Sequence, residues 1–137
     1  MLHGNRKVEL LKRVPLFAGC SKKELSQIAT VADEIDFRSG KTLIREGSPG
    51  REFFVLVDGT AEIRRKGRMI DTAGPGDFFG EMALLTDQPR NATVTTTSDV
   101  DVLVVTSRSF RTLVESNPLI ALKVMRAVAD RLPPGEL

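Results

Sequence analysis

The chain has 137 residues, 41% of them hydrophobic and 28% charged, with a formal net charge of +2. That length fits one domain, residues 1–137, able to bury a core, and so small a net charge gives no ground for a nucleic-acid partner. The single Cys20 precludes an internal disulfide, and no apolar run approaches the ~20 residues of a membrane span. With no signal-peptide core either, the chain is expected to be cytoplasmic.

The N-terminal stretch carries Arg6, Lys7, Lys12, Arg13, Lys22 and Lys23 against Glu9, which reads as a solvated basic face. Asn5 to Lys12 is a short helical segment ended by Val14-Pro15. Ser21-Lys22-Lys23-Glu24 is a capping box leading into Leu25, Ile28, Ala29 and Ala32 at helical spacing, so helices occupy about residues 5–32. Cys20, beside that helix start, is expected to be a buried or half-buried structural thiol.

From Glu34 to Val105 the pattern changes to short strands punctuated by Ser39-Gly40, Gly47-Ser48-Pro49-Gly50, Asp58-Gly59, Lys66-Gly67 and Gly74-Pro75-Gly76. Regular punctuation of this kind predicts a barrel or jelly roll. Phe53 to Val57 is continuous enough for a buried strand, while Ala61 to Arg64 and Ala92 to Thr95 alternate as half-buried ones. Thr106 caps a helix containing Phe110, Leu113 and Val114, interrupted at Asn117-Pro118. A last helix follows, with Leu119, Leu122, Met125, Ala129 and Leu132 on the face expected to pack against the roll, and Pro133-Pro134-Gly135 stopping it. The C-terminal helices thus span about residues 107–132. The pattern reads as α+β, mainly β: a barrel or jelly roll over about 34–105, flanked by helices at both ends.

Residues 76–93 carry the chemistry. Gly76 and Gly80 permit backbone angles and close approaches that side chains block, and Met82 to Leu85 favour one helical turn. The unpaired amides at the start of such a turn suit an anion. Arg90 can close on the same anion with its planar two-donor fork. Glu81 repels phosphate but accepts from a sugar hydroxyl, so amides, arginine and carboxylate together describe a ribose phosphate. Read more blandly, Glu81 complements a helix start and Arg90 pairs with Asp87 at the surface.

The run Phe79-Gly80-Glu81-Met82-Ala83-Leu84, a spacer from Leu85 to Gln88, and Pro89-Arg90-Asn91-Ala92-Thr93-Val94 resemble the phosphate-binding cassette of the cyclic nucleotide-binding domain family. Ser39-Gly40-Lys41, Glu46-Gly47, Phe53 to Gly59 and Gly74-Pro75-Gly76-Asp77 extend the resemblance over about residues 14–132. It implies an antiparallel jelly-roll-like β-roll, or double-stranded β-helix, that senses cyclic AMP or cyclic GMP, with Gly80, Glu81, Met82, Ala83, Arg90, Asn91 and Ala92 as the ligand-binding set. By that resemblance Arg90 binds the cyclic phosphate, Glu81 the ribose 2′-hydroxyl, and the amides of Ala83 and Asn91 the phosphate oxygens. It also implies that Leu84 relays binding to a hinge helix at the position of Phe110, and so to a partner or attached effector that the sequence does not identify.

Asn91 departs from the family, where Ala, Ser or Thr is common and Thr is suited to the guanine amino group. Asn can contact a base or simply satisfy a turn; the turn reading is favoured, which puts cyclic AMP ahead of cyclic GMP. The short last helix and the lack of Trp and Tyr give no support to an aromatic lid on the base, though Leu132 and Arg126 are within consideration. No helix-turn-helix segment follows, so direct DNA binding is not expected. Catalysis is not expected either: the one histidine, His3, stands near the chain start, leaving no metal set and no base for a serine nucleophile. No cofactor or metal is called for. The competing reading is a degenerate family member serving as a protein-docking module, against which intact Glu81 and Arg90 argue.

Overall fold

The structure, a computed structural model, describes residues 4–130. His3, Leu132 and the Pro133-Pro134-Gly135 stop lie outside the described residues. Helix α1 (Gly4–Lys12), a 3₁₀ turn (Pro15–Phe17) and α2 (Lys22–Ala29) precede eight strands: β1 (Asp33–Phe37), β2 (Thr42–Ile44), β3 (Glu52–Asp58), β4 (Ala61–Arg65), β5 (Arg68–Ala73), β6 (Phe78–Phe79), β7 (Thr93–Thr96) and β8 (Val100–Thr106). A second 3₁₀ turn (Glu81–Leu84) lies between β6 and β7, and α3 (Ser107–Ser116) and α4 (Pro118–Ala129) close the chain. The strands form two antiparallel four-stranded sheets, ordered β1-β8-β3-β6 and β2-β7-β4-β5, the expected β-roll.

Why β3 and β8 are apolar without alternation follows from their place at the centre of the first sheet. Phe54, Leu56, Val102 and Val104 face the second sheet, meeting Ile44, Ala61, Ala73 and Val94. Phe53, Val55, Leu103 and Val105, one residue out of phase, meet the helices on the other side. The helical layer is tied down by Phe17, fully buried, whose ring lies 6.0 Å from both Phe53 and Phe110, centroid to centroid. The 3₁₀ turn that delivers Phe17 is too short to show periodicity in the sequence. The capping box of α2 forms, with Ser21 N–H donating to Glu24 Oε1 at 2.7 Å and Glu24 N–H to Ser21 Oγ at 3.2 Å. Thr106 Oγ1 accepts from Ser109 N–H at 3.1 Å and caps α3. Cys20 is half-buried, and burial pushes its thiol pKa up, as befits an unreactive structural thiol.

Helix α4 corrects the sequence reading. Leu119, Leu122 and Met125 are 54, 44 and 65% exposed, whereas Ile120 and Val124 are buried. The helix is apolar on both sides, so spacing alone cannot choose its inner face. Ile120 and Val124 instead enter the core cluster, with the helix against the Pro15–Phe17 turn, and Lys123 Nζ donates to Glu24 Oε1 at 2.5 Å, tying α4 to α2. That bond is the chief cause that holds the Glu24 carboxyl below its usual range. Ile120→Ala should therefore cost about 2–5 kcal/mol in urea unfolding, while Met125→Ala should change stability by no more than about 0.5 kcal/mol.

Across the first sheet, Asp36 on β1 and Asp58 at the end of β3 both stand in register with Asp101 on β8. Asp101 Oδ1 is buried without a hydrogen-bond partner among the described residues. Burial first, then a hydrogen bond with Glu34 and the charges of Glu34 and Asp36, push the Asp101 pKa up to about 7. An acid whose folded pKa is raised favours folding while protonated: the unfolded chain ionises near pH 3.8, the folded chain holds its proton to about 7, and stability falls across that window. The stability of Asp101→Asn should therefore rise relative to wild type between about pH 4 and pH 7 and the gap should level off above, measured as thermal midpoints.

Candidate functional site

The predicted cassette is built where β6 leaves the first sheet. Gly80 takes a left-handed conformation, φ +74° and ψ +28°, and starts the Glu81–Leu84 turn. The turn closes on itself: Ala83 N–H donates to the Gly80 carbonyl at 3.0 Å, and Leu85 and Thr86 N–H donate to the Met82 carbonyl at 3.0 and 2.9 Å. Ala83 and Leu84 are buried, Glu81 is half-buried and Met82 is exposed. The Ala83 amide, expected at the phosphate, is thus already bonded within the turn.

Arg90 reaches the same place from the opposite side. Its main chain is held by the preceding turn, with Arg90 N–H donating to the Ser48 carbonyl and Gly47 N–H donating to the Arg90 carbonyl, both at 2.8 Å. Its side chain then runs past Gly50, where an added Cβ would lie 3.3 Å from Arg90 Cδ, Arg90 Nε and Ala83 Cβ. The guanidinium lies over Gly80, where a Cβ would overlap Nη1, and Nη2 donates to the Glu52 carbonyl at 2.5 Å. The observed bond is to β3 main chain, in place of the surface pairing with Asp87 that the bland reading offered. Burial draws the Arg90 pKa down, and the charge of Glu52 works against that shift. An anion set against this half-buried cation offsets the same desolvation.

Gly80, Glu81, Met82, Ala83, Thr86, Gln88, Pro89, Arg90 and Asn91 line one cavity of about 390 Å³, within the usual range for small-molecule sites. Six of the seven predicted ligand residues meet there; the seventh, Ala92, is buried beside it at the start of β7. Thr86 and Gln88 are additions, hidden in the sequence because the spacer carries no motif of its own. Asn91 is exposed in the bend before β7, and its carbonyl accepts from Arg65 Nε at 2.9 Å. Arg126, considered near the base, lines a different cavity with Pro15, Gly19 and Asp130. Leu84 and Phe110 both lie in the core under the helices, and the 81–84 turn packs against α3. Among the described residues no cluster of three or more His, Cys, Asp or Glu could hold a metal ion, and no helix is long and apolar enough to cross a membrane.

The fold and the site together are a two-sheet roll with a cavity lined by Gly80, Glu81 and Arg90. The family model of the cyclic nucleotide-binding domain matches residues 34–117, and the chain belongs to that family. It is 43% identical over 98 residues to a cAMP-dependent protein kinase regulatory subunit of Aspergillus fumigatus, covering 67% of this chain and 23% of that protein. A CRP-like cAMP-activated global transcriptional regulator of Mycobacterium tuberculosis is 28% identical over 129 residues, covering 90% of this chain and 58% of the regulator. The chain therefore spans about a quarter of the one relative and little more than half of the other. Among solved structures, the N-terminal domain of a transcriptional regulator from Streptomyces coelicolor A3(2) superposes with a TM-score of 0.81 at 31% identity, covering 89% of this chain and 91% of that one. A cAMP-bound PfPKA-R (141–441) gives a TM-score of 0.69 at 25% identity, covering 93% of this chain and 46% of that one.

Gly80 and Gly67 separate backbone strain from seating of the arginine. Both have positive φ, +74° and +79°, but nothing lies within 4 Å of a Cβ at Gly67. Each alanine substitution should cost about 1–2 kcal/mol of stability. Only Gly80→Ala should move the Arg90 side-chain Nε resonance in a nitrogen-proton NMR spectrum, because only there does the new methyl occupy the guanidinium's seat.

Proposed function

We propose that this chain binds a cyclic nucleotide, cyclic AMP ahead of cyclic GMP, as the sensing element of a regulatory protein. The observation that carries the reading is the Arg90 guanidinium seated over Gly80 in the cavity that Glu81 shares. In the proposed complex the Arg90 fork takes two phosphate oxygens, and Glu81 accepts from the ribose hydroxyl. The Ala83 N–H is shared between the Gly80 carbonyl and a phosphate oxygen, a three-centre bond of a kind common at helix ends. The Asn91 amide completes the phosphate shell. Relatives whose names include cAMP support the base assignment.

Signal leaves through the helices. Leu84 belongs to the cassette and to the core that contains Phe110, so a cassette drawn inward by phosphate repacks the foot of α3. Such coupling requires tighter phosphate binding to the drawn-in state, because a ligand shifts an equilibrium only by its differential affinity. The recipient is a protein effector, attached or separate.

Calorimetric titration with cyclic AMP and cyclic GMP tests the reading. Wild type should bind cyclic AMP more tightly, and Arg90→Ala should weaken binding by at least about tenfold, since each charge-assisted bond contributes roughly 1.5–3 kcal/mol. No binding of either nucleotide by wild type would favour the docking-module reading instead.

A further inference from the structure

The hairpin that joins β4 to β5 touches the cassette through one side chain. Arg65, the last residue of β4, is exposed, and its Nε donates to the Asn91 carbonyl at 2.9 Å. The next residue, Lys66, has φ +52°, a left-handed conformation that a lysine adopts only under constraint. In that conformation its N–H donates to Glu46 Oε1 at 2.9 Å. Glu46 in turn precedes Gly47 and Ser48, whose N–H and carbonyl hold the main chain of Arg90 at 2.8 Å each. Glu46 N–H also donates to Thr93 Oγ1 at 3.0 Å, on the strand that follows the cassette.

These contacts close a ring: Arg65 to Asn91, Asn91 to Arg90 along the chain, Arg90 to Gly47 and Ser48, back to Glu46, and from Glu46 to Lys66 beside Arg65. Three hydrogen bonds thus fix the peptide units at Arg90 and Asn91, two from the 47–48 turn and one from Arg65. Of the three, only the Arg65 bond comes from a side chain. We infer that Arg65 is a positioning residue for the anion site: by holding the Asn91 carbonyl it fixes the Asn91–Ala92 peptide unit, and through it the neighbouring unit that joins Arg90 to the Asn91 amide. The inference rests on the nucleotide reading of the cavity and adds to it a residue from outside the cassette. Its role is geometric, since a guanidinium donating to a carbonyl sets direction with a rigid planar fork. Electrostatic attraction of the nucleotide by the hairpin as a whole is a different effect, which Arg68 on the same hairpin supplies equally.

Arg65→Ala and Arg68→Ala remove the same charge from one hairpin and differ in the bond to Asn91. Titration with cyclic AMP should show about a fivefold loss of affinity for Arg65→Ala, appearing in the dissociation rate, and less than about a twofold change for Arg68→Ala. Amide hydrogen exchange of nucleotide-free protein should show faster exchange at Arg90, whose N–H is bonded to the Ser48 carbonyl, in Arg65→Ala alone. Equal affinity losses in the two variants would overturn the inference, and so would unchanged exchange at that amide. A wild type that binds neither cyclic nucleotide would overturn the proposed function and with it the effect on affinity, whereas the exchange comparison reports on the ring regardless.

Discussion

Everything at the cassette depends on fitting a large cation into a place with no room for a methyl group. The Arg90 guanidinium occupies the volume that a side chain at Gly80 would fill, and its stem passes Gly50 at van der Waals distance. Because Nη2 rests on the Glu52 carbonyl, the arginine is anchored to the start of β3, a central strand of the first sheet. The other wall of the cavity, the 81–84 turn, packs on both β3 and α3, so the site sits between the sheet and the C-terminal helices.

Burial also shapes the chemistry. Desolvation works against the charge on Arg90, and the nearby charge of Glu52 offsets part of that effect. Glu81 lines the same cavity as Arg90, so an acid and a cation share one small space.

Much of this was readable from residue order because the cassette is local. Glycine at positions 76 and 80, the acid at 81 and the arginine at 90 lie within one stretch of residue order, although Arg90 is seated by Gly47, Ser48 and Glu52 from elsewhere in the chain. The β-roll followed from turn punctuation, and the capping residues Ser21 and Thr106 formed the bonds their spacing predicts. What escaped was non-local. Phe17 sits on a three-residue turn with no period, and the inner face of α4 is set by packing against residues far away in the chain, which its two-sided apolar pattern does not reveal. Thr86, Gln88 and Arg65 join the cassette's surroundings through folding of the spacer and a hairpin, neither of which has a sequence signature for that contact.

Helix α4 enters the core by Ile120 and Val124, with Val128 partly covered, and its outer side is apolar but wet. Beside those side chains the described part of the helix has one ion pair, Lys123 with Glu24, to tie it to the rest of the fold. The domain is therefore unevenly anchored along its length: strands β3 and β8 are gripped from both faces, the last helix from one.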